Sequence, residues 1–519
     1  GPAAGMRRHP GRDDDQAVGA CLISGKDIHG AMCPALAPLL FDRALETVPS
    51  AGNPEVLELS PSALQELVAS AGKVQDELSS VPIDERLQVI EHIARKWKER
   101  LDKGDLDELK KDMSASTGYS PALMETEMSF VPAVLGAANI RRNLDASVQG
   151  GADALFKFVE MDETEMFRHV PVGPVLIISS GNSIVPTLIP TVVSLVTGNL
   201  TILKPSMANY RGVCEVFKLL ADVPDSKAAR AMRSALVVSY FGHDSPSLKL
   251  ALEELPMGMI NFWGAEPART VVADMVGKNW NHPRFFVNGP FTGMALIEEG
   301  ADVLRAADDL ALDVVLYDQQ LCSSPTTGAF IGPYDRAKEF LKAAGERLDE
   351  AGMEFPLAPD QDRLFVLQGA RRFIQMEGGM VLSSKSPENP WTLVLSKGKS
   401  SLGGLAAQFP SFNLFARRRF LEIVAVPDAE SAVQLLRSLP EHPAFKGIDG
   451  VQSVGLAVTE GSRDHFVELL VGAGVHRILP LGDMFMRGAV EPYDGVTMSS
   501  LFTRIVYWRK ANAALEGQL

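Results

Sequence analysis

Cysteine is scarce in this chain: four in 519 residues, at positions 21, 33, 214 and 322, with no CxxC pair. That spacing excludes a disulfide framework and a structural zinc site, and fits a reducing cytoplasm. Positive charge is short as well, with 50 Lys and Arg against 65 Asp and Glu and a formal net charge of -15. An extended nucleic-acid surface needs clustered cations, so that class of function drops out, though a local basic pocket for a phosphorylated cofactor does not. The histidines, His169, His243, His442 and His476 among them, show no HxH or HExxH spacing, and metal chemistry has no support. No GxGxxG is present, so the common dinucleotide fingerprint is missing. The long uncharged run over 170–203 is broken by Pro171, Pro174, Pro186 and Pro190 and by Gly173, Gly181 and Gly198. It therefore reads as a buried strand, helix, strand unit and not as a membrane span. Residues 1–5 read as a tag remnant ahead of Met6, and residues 7–15 lack the apolar centre of a signal peptide.

What is present is a globular composition, 46% hydrophobic and 22% charged, in a chain long enough for two or three domains. Residues 61–112 carry apolar positions at helical spacing (Leu64, Leu67, Val68, then Leu87, Ile90, Ile93, Trp97), and 120–150 continues as helix up to Gly150-Gly151. Alternation over 154–170 predicts a short strand pair. Strands at 175–179, 200–203, 235–240 and 258–262 then alternate with helices at 185–196, 213–220 and 245–255, the signature of a parallel sheet. A second α/β set takes in 285–287, 329–331, 337–351, 364–367, 391–395, 421–426, 454–458, 463–473 and 477–480, and 501–508 is β-rich again. The predicted class is α/β. Residues 1–59 are a remnant and extension, 60–285 a cofactor-binding lobe with a β hairpin at 150–170, 286–485 a catalytic lobe, and 486–519 a return to the first lobe.

Chemistry concentrates in a few motifs. Residues 172–182 read VGPVLIISSGN, 197–206 read TGNLTILKPS, 260–265 read INFWGA, and 318–325 read DQQLCSSP. A lone Cys between strands is usually a small buried hydrophobe. Cys322, however, sits among Gln319, Gln320, Ser323 and Ser324, polar neighbours that can reach and stabilise a thiolate. Cys21, Cys33 and Cys214 have no such setting. Taken in order, these four motifs resemble the aldehyde dehydrogenase superfamily. The wording around Cys322, with Arg477-Ile-Leu-Pro-Leu-Gly482 and Asp494-Gly495, is similar to its LuxC-like acyl-CoA reductase branch. The resemblance spans roughly residues 60 to 510 and implies the three-part aldehyde dehydrogenase fold, with small β segments pairing between the subunits of a homodimer or tetramer.

The resemblance implies that Cys322 is the covalent nucleophile and that Asn182 donates to the oxyanion; Asn182 otherwise reads as a helix N-cap. It implies that Lys204 and Ser206 hold the adenosine ribose and its phosphate, where a snorkelling surface lysine is the plain alternative. Ser180, Gly242, Gly264 and Ala265 belong to the same cofactor edge. Met207 stands where NAD-preferring relatives often place a glutamate, and Arg211 lies one turn on, so NADPH is expected, with NADH as the alternative. Glu422 falls near the position that holds the nicotinamide ribose, or else is an ion-paired residue beside Arg417, Arg418 and Arg419. Hydrolytic relatives carry a water-activating glutamate 34 residues before the cysteine; here that count reaches Asn288, and Glu298 and Glu299 read as solvated residues at a strand end. Without that base an acyl-cysteine passes to a better nucleophile than water, such as a thiol. The expected reaction is NAD(P)H-dependent reduction of an acyl thioester to the aldehyde. An acid-releasing aldehyde dehydrogenase and a non-catalytic scaffold are the alternatives. The expected partners are acyl-CoA or another acyl thioester and an acyl-donating synthetase or carrier protein.

Overall fold

The structure, a computed structural model, describes residues 36–357, 361–410, 412–414 and 417–510; the expected remnant at 1–5, Cys21 and Cys33 lie outside the described residues. The first strands of the described residues form a hairpin of β1 (Thr47–Ser50) and β2 (Asn53–Leu59). Ahead of it, Leu39 bridges Val238 at the edge of a five-stranded sheet, so the segment before residue 60 covers a strand edge that would otherwise stand open. Helices Pro61–Ala69, Ala71–Ser79, Ile83–Asp102, Asp107–Thr117, Pro121–Val134 and Ala137–Ser147 fill the region read as helical from periodicity. The predicted strand pair is β3 (Val159–Glu160) and β4 (Glu165–Pro171).

The first parallel sheet contains β5 (Val175–Ile178), β6 (Thr201–Lys204), β7 (Leu236–Val238), β8 (Met259–Trp263) and β9 (Arg284–Asn288), in the order β7-β6-β5-β8-β9. The uncharged run over 170–203 resolves into the end of β4, then β5, helix Val185–Val196 and β6. No helix among the described residues is long and apolar enough to cross a membrane. β9 corrects one expectation: residues 285–287 do not open the second set but form the edge of the first sheet, paired with β8. The chain crosses between the sheets after Asn288.

The second sheet has seven strands: β10 (Phe291–Glu298), β11 (Pro325–Ile331), β12 (Met380–Ser383), β13 (Thr392–Lys397), β14 (Phe420–Val426), β15 (Gly450–Ala457) and β16 (Arg477–Pro480). Their order is β12-β13-β14-β11-β10-β15-β16, parallel except for β12. Alternate residues feed two cores. Ala295, Ile297, Leu421 and Ile423 join the core continuous with the first lobe, while Met294, Leu296, Phe420 and Val424 face a second core. Last, β17 (Thr503–Arg509) returns to pair with β4, completing a three-stranded antiparallel sheet with β3.

Candidate active site

Cys322 lies in the tight segment that leads into β11, and the backbone before it is strained. Tyr317, Asp318 and Gln319 stand in succession at φ 56°, 47° and 63°. Left-handed conformations cost a residue with a side chain roughly 1–2 kcal/mol each, so something must hold them. Asp318 is fixed by Arg419, whose Nε donates to its Oδ1 at 2.8 Å while Nη1 and Nη2 reach Asn389 Oδ1 and the Phe355 carbonyl. Gln319 imitates a strand residue: its Oε1 accepts from Phe420 N at 2.7 Å and its Nε2 donates to the Pro325 carbonyl at 2.8 Å. On the other side, Gly293 N donates to Ser324 O at 2.8 Å, and a Cβ at Gly293 would collide with the Ser323 carbonyl. The loop that carries Cys322 is therefore clamped between β10 and β14.

Cys322 is half-buried and lines a cavity of about 460 Å³ between the two lobes. Asn182, Ser180, Gly264, Ala265 and Asn288 line the same cavity, as do Gln452's neighbours Arg487, Tyr493 and Asp494. Much of its lining is apolar, with Phe130, Val134, Ile140, Ile189, Phe485 and Met498 among it. Asn182 is not an N-cap. Helix Val185–Val196 is preceded by Ile184, and the Asn182 amide instead donates to the Gln320 carbonyl at 2.9 Å, two residues before Cys322. Ser180 Oγ donates to Asn182 Oδ1 at 2.8 Å, which fixes the orientation of that amide.

Burial pushes the Cys322 thiol up; Arg487 pulls it down, Asp494 pushes it up again, and the Gln452 hydrogen bond and Arg477 pull it down. Gln452 Nε2 lies 3.3 Å from Sγ. Arg487 stacks on Tyr493, 3.7 Å from the ring centroid, and its Nη2 donates to Gln452 Oε1 at 3.4 Å. The loop that carries Arg487 is anchored by Asp313, which accepts from Gly482 N at 2.7 Å and Met484 N at 3.1 Å and which burial pushes up to about 7. Gln452, Arg487 and Tyr493 were not singled out from the sequence. They belong to no motif, and only the strand order β10-β15-β16 brings β15 and the loop after β16 beside the cysteine. Cys214 by contrast is buried, its thiol pushed up by burial to about 12.

The remaining predicted residues divide by place. Lys204 ends β6 half-buried, with Nζ 5.3 Å over the Tyr240 ring and its pKa lowered by burial to about 8, so it is not a snorkelling surface lysine. Ser206 stands against Gly181, where an added Cβ would lie 3.1 Å from Oγ, and that Oγ is buried without a hydrogen-bond partner. Met207 begins the short turn that follows, and Arg211 is exposed and ion-paired with Asp112. Gly242 is apart from the cavity lining: its N–H donates to Glu58 Oε2 at 3.1 Å. Glu422 matches neither reading. It is fully buried in mid-strand and does not line the cavity; Ser396, Ser400 and Ser401 donate to its carboxylate. Its alternation with Phe420 and Val424 turns it toward the second core. Arg417 and Arg419 do not pair with it either, since Arg417 donates to the Ala444 carbonyl and Arg419 holds Asp318. Glu298 is half-buried and bonded by Thr459 N and Ser462 Oγ, more fixed than a solvated strand end. Asn288 is buried, donating to Asp494 Oδ2 at 2.7 Å and accepting from Asn261 at 2.9 Å. Among the described residues no group of His, Cys, Asp and Glu is arranged to hold a metal ion.

This architecture is shared with solved aldehyde dehydrogenases. The chain is similar to methylmalonate-semialdehyde dehydrogenase of Oceanimonas doudoroffii, with a TM-score of 0.67 and 13% identity over 93% of this chain and 99% of the other. It is also similar to an NADP-complexed glyceraldehyde-3-phosphate dehydrogenase of Methanocaldococcus jannaschii, with a TM-score of 0.64 and 14% identity over 87% and 94%. In sequence it is 20% identical to a long-chain acyl-protein thioester reductase of Photobacterium phosphoreum, over 79% of each chain. A protein of the same description from Vibrio harveyi is 24% identical over 54% of this chain and 57% of its own. The family described as acyl-CoA reductase (LuxC) matches residues 78–505. With the aldehyde dehydrogenase fold and a cysteine at the lobe interface, the chain belongs to the acyl-CoA reductase (LuxC) family.

Proposed function

We propose that the protein reduces an acyl thioester to the aldehyde through an acyl-cysteine on Cys322. The observation that carries this reading is the Cys322 thiol opening on a cavity with amide donors beside it and an amide, Asn288, where a water-activating carboxylate is expected. The Cys322 thiolate attacks the acyl carbon. Asn182, whose NH₂ has a second hydrogen beyond the one given to Gln320, donates to the oxyanion; a donor of this kind contributes roughly 3–4 kcal/mol to lowering the barrier. The carbonyl re-forms, the donor's thiol leaves, and Cys322 carries the acyl group. A reduced nicotinamide, when bound, would supply the hydride that this reduction needs. Hydride addition at the acyl carbon leaves a thiohemiacetal oxyanion that Asn182 faces; the carbonyl re-forms, the C–S bond breaks, and Cys322 leaves as thiolate with release of the aldehyde. The apolar lining residues, Phe130 and Met498 among them, suit an aliphatic chain, and acyl-CoA or an acyl group on a carrier protein or synthetase is the donor.

The five-stranded lobe is the cofactor lobe in this reading and the seven-stranded lobe the catalytic one. Ser206 Oγ, buried and unpartnered, and the half-buried Lys204 ammonium fit an adenosine ribose and phosphate, with Gly264 and Ala265 leading toward Cys322. Met207 places no negative charge there, which favours NADPH over NADH; Arg211 would have to leave Asp112 to contribute. The β3-β4-β17 sheet leaves Ile505, Tyr507 and Trp508 about half exposed and is the surface for a homodimer or a tetramer. A reducing cytoplasm keeps Cys322 as the thiol.

The test is the intact mass after incubation with a long-chain acyl-CoA without nicotinamide. A gain equal to the acyl group, absent from Cys322→Ala and discharged by NADPH with release of aldehyde, is expected. A Cys322→Ala protein that still reduces acyl-CoA at the wild-type rate would overturn the mechanism.

A further inference from the structure

A file of hydrogen bonds runs from β8 of the first sheet to the sulfur of Cys322. The Trp263 indole N–H donates to Asn261 Oδ1 at 2.6 Å, Asn261 Nδ2 to Asn288 Oδ1 at 2.9 Å, and Asn288 Nδ2 to Asp494 Oδ2 at 2.7 Å. The other Asp494 oxygen accepts from Gln452 Nε2, and that nitrogen lies 3.3 Å from Cys322 Sγ. Asp494 itself does not hydrogen-bond the sulfur; Gln452 stands between them.

The neighbours decide which end of the Gln452 amide faces the sulfur. Its Oε1 accepts from Ser453 Oγ at 3.1 Å and from Arg487 Nη2 at 3.4 Å. Turned over, the amide would set NH₂ against a guanidinium and its oxygen against a carboxylate. Sγ lies 3.6 Å from Oε1, so the protonated sulfur donates to that oxygen and the thiolate accepts from Nε2 with little movement. The charged groups facing the sulfur are Arg487 and Arg477, which favour the thiolate, and Asp494, which opposes it; both arginines pair with Glu491, and Tyr493 lies under Arg487. The carboxylate's charge works against ionisation of the cysteine, so a useful role for it lies in the geometry it imposes.

We propose that Asp494 is a positioning residue, holding the Gln452 amide so that one N–H is aimed at Cys322 Sγ and the thiolate is favoured. The inference rests on reading Cys322 as the nucleophile. A carboxylate suits the place because it accepts at both oxygens, one for Gln452 and one for Asn288. An asparagine at 494 has one acceptor for two donors. Asp494 stands at φ 48°, a region that Asp and Asn both tolerate, so Asp494→Asn changes the hydrogen bonding without adding backbone strain.

The experiment is the pH profile of Cys322 alkylation by iodoacetamide, quantified on the Cys322 peptide, in wild type, Gln452→Leu, Asp494→Asn and the double variant. Gln452→Leu is expected to raise the alkylation pKa by about one pH unit, a tenfold loss of thiolate below it. If Asp494 acts through Gln452, the shift caused by Asp494→Asn lies at least about half a pH unit higher with Gln452 present than in the Gln452→Leu protein, where only the lost charge is felt. Equal shifts in both backgrounds overturn the proposal. Should Asp494→Asn not fold, the near-isosteric Gln452→Glu, which sets a second carboxylate beside Asp494, is expected to raise the pKa by more than a unit, and an unchanged value overturns it. Acylation by acyl-CoA is read on the same wild-type sample. Coupling without acylation would bring down the proposed function and leave the positioning role standing.

Discussion

Installing the missing carboxylate is the obvious route to a hydrolase, and the structure says that it fails on its own. In Asn288→Glu the new carboxylate arrives where the Asn288 amide now lies 2.7 Å from Asp494 Oδ2. Two carboxylates about 3 Å apart at an effective dielectric near 20 repel by about 5–6 kcal/mol, which corresponds to about four pH units. The pair therefore retains one proton at pH 7, shared between the two groups, and has little free base to offer water. Asn261, which now donates to Asn288 Oδ1, can still donate to a glutamate oxygen and does not relieve the conflict. Removing the second charge does. The assay loads Cys322 with an acyl group in the absence of nicotinamide and follows loss of the acyl mass at pH 7. Asn288→Glu alone is expected to deacylate no faster than wild type. Asn288→Glu combined with Asp494→Asn is expected to deacylate at least about a hundredfold faster, the low end of what a positioned base contributes. A single variant that deacylates as fast as the double refutes the electrostatic reasoning.

Glu127, buried where it accepts from Ser183 and Ile184 N, is pushed up by burial to about 7. A raised carboxyl contributes stability that is complete below its unfolded value near 4.5 and lost as pH rises through 7. Glu127→Gln removes that slope, so denaturant unfolding should find the variant gaining on wild type by roughly 3 kcal/mol between pH 4 and pH 8; a pH-independent difference rejects this. Arg419→Met strands the Asp318 carboxylate in the core and is expected to cost about 3–5 kcal/mol, lowering the unfolding midpoint by roughly 3–5 °C in a chain of this length. Adding Asp318→Asn should recover most of that loss in the same thermal scan, and no recovery would mean that the buried charge is not the cause. Met207→Glu is expected to raise KM for NADPH roughly tenfold while leaving NADH unchanged, measured by steady-state kinetics of aldehyde formation.

The lobes were legible where period and punctuation agreed. The Val185–Val196 helix and the Arg477–Pro480 strand stand at their predicted bounds. β10 was missed because Phe-Thr-Gly-Met-Ala-Leu-Ile-Glu is buried on both faces, leaving no alternation to read, and Gly293 and Ala295 weaken its strand propensity. Residues 285–287 were assigned to the wrong sheet because partner choice is set by packing across the chain and not by local pattern. The cysteine and its loop carry a motif and could be found. Gln452 and Arg487 could not, since nothing in their neighbourhoods marks chemistry. Glu422 shows the converse: a carboxylate in a suggestive place in the sequence is buried and satisfied by three serines, on the strand face that turns to the second core.

The pairing of β4 with β17 also has a consequence in time. His169 on β4 hydrogen-bonds Thr503 on β17, 334 residues further along. At synthesis rates of roughly 5–20 residues per second, β4 waits on the order of 20–70 seconds for its partner. Once residue 288 has been made the first lobe has all its parallel strands, while β4 still presents an unpaired edge carrying Met166 and Phe167. The nascent chain is therefore at greatest risk of misassociation while the second lobe is being made, and its growing length must be kept off that edge until residues 503–509 arrive.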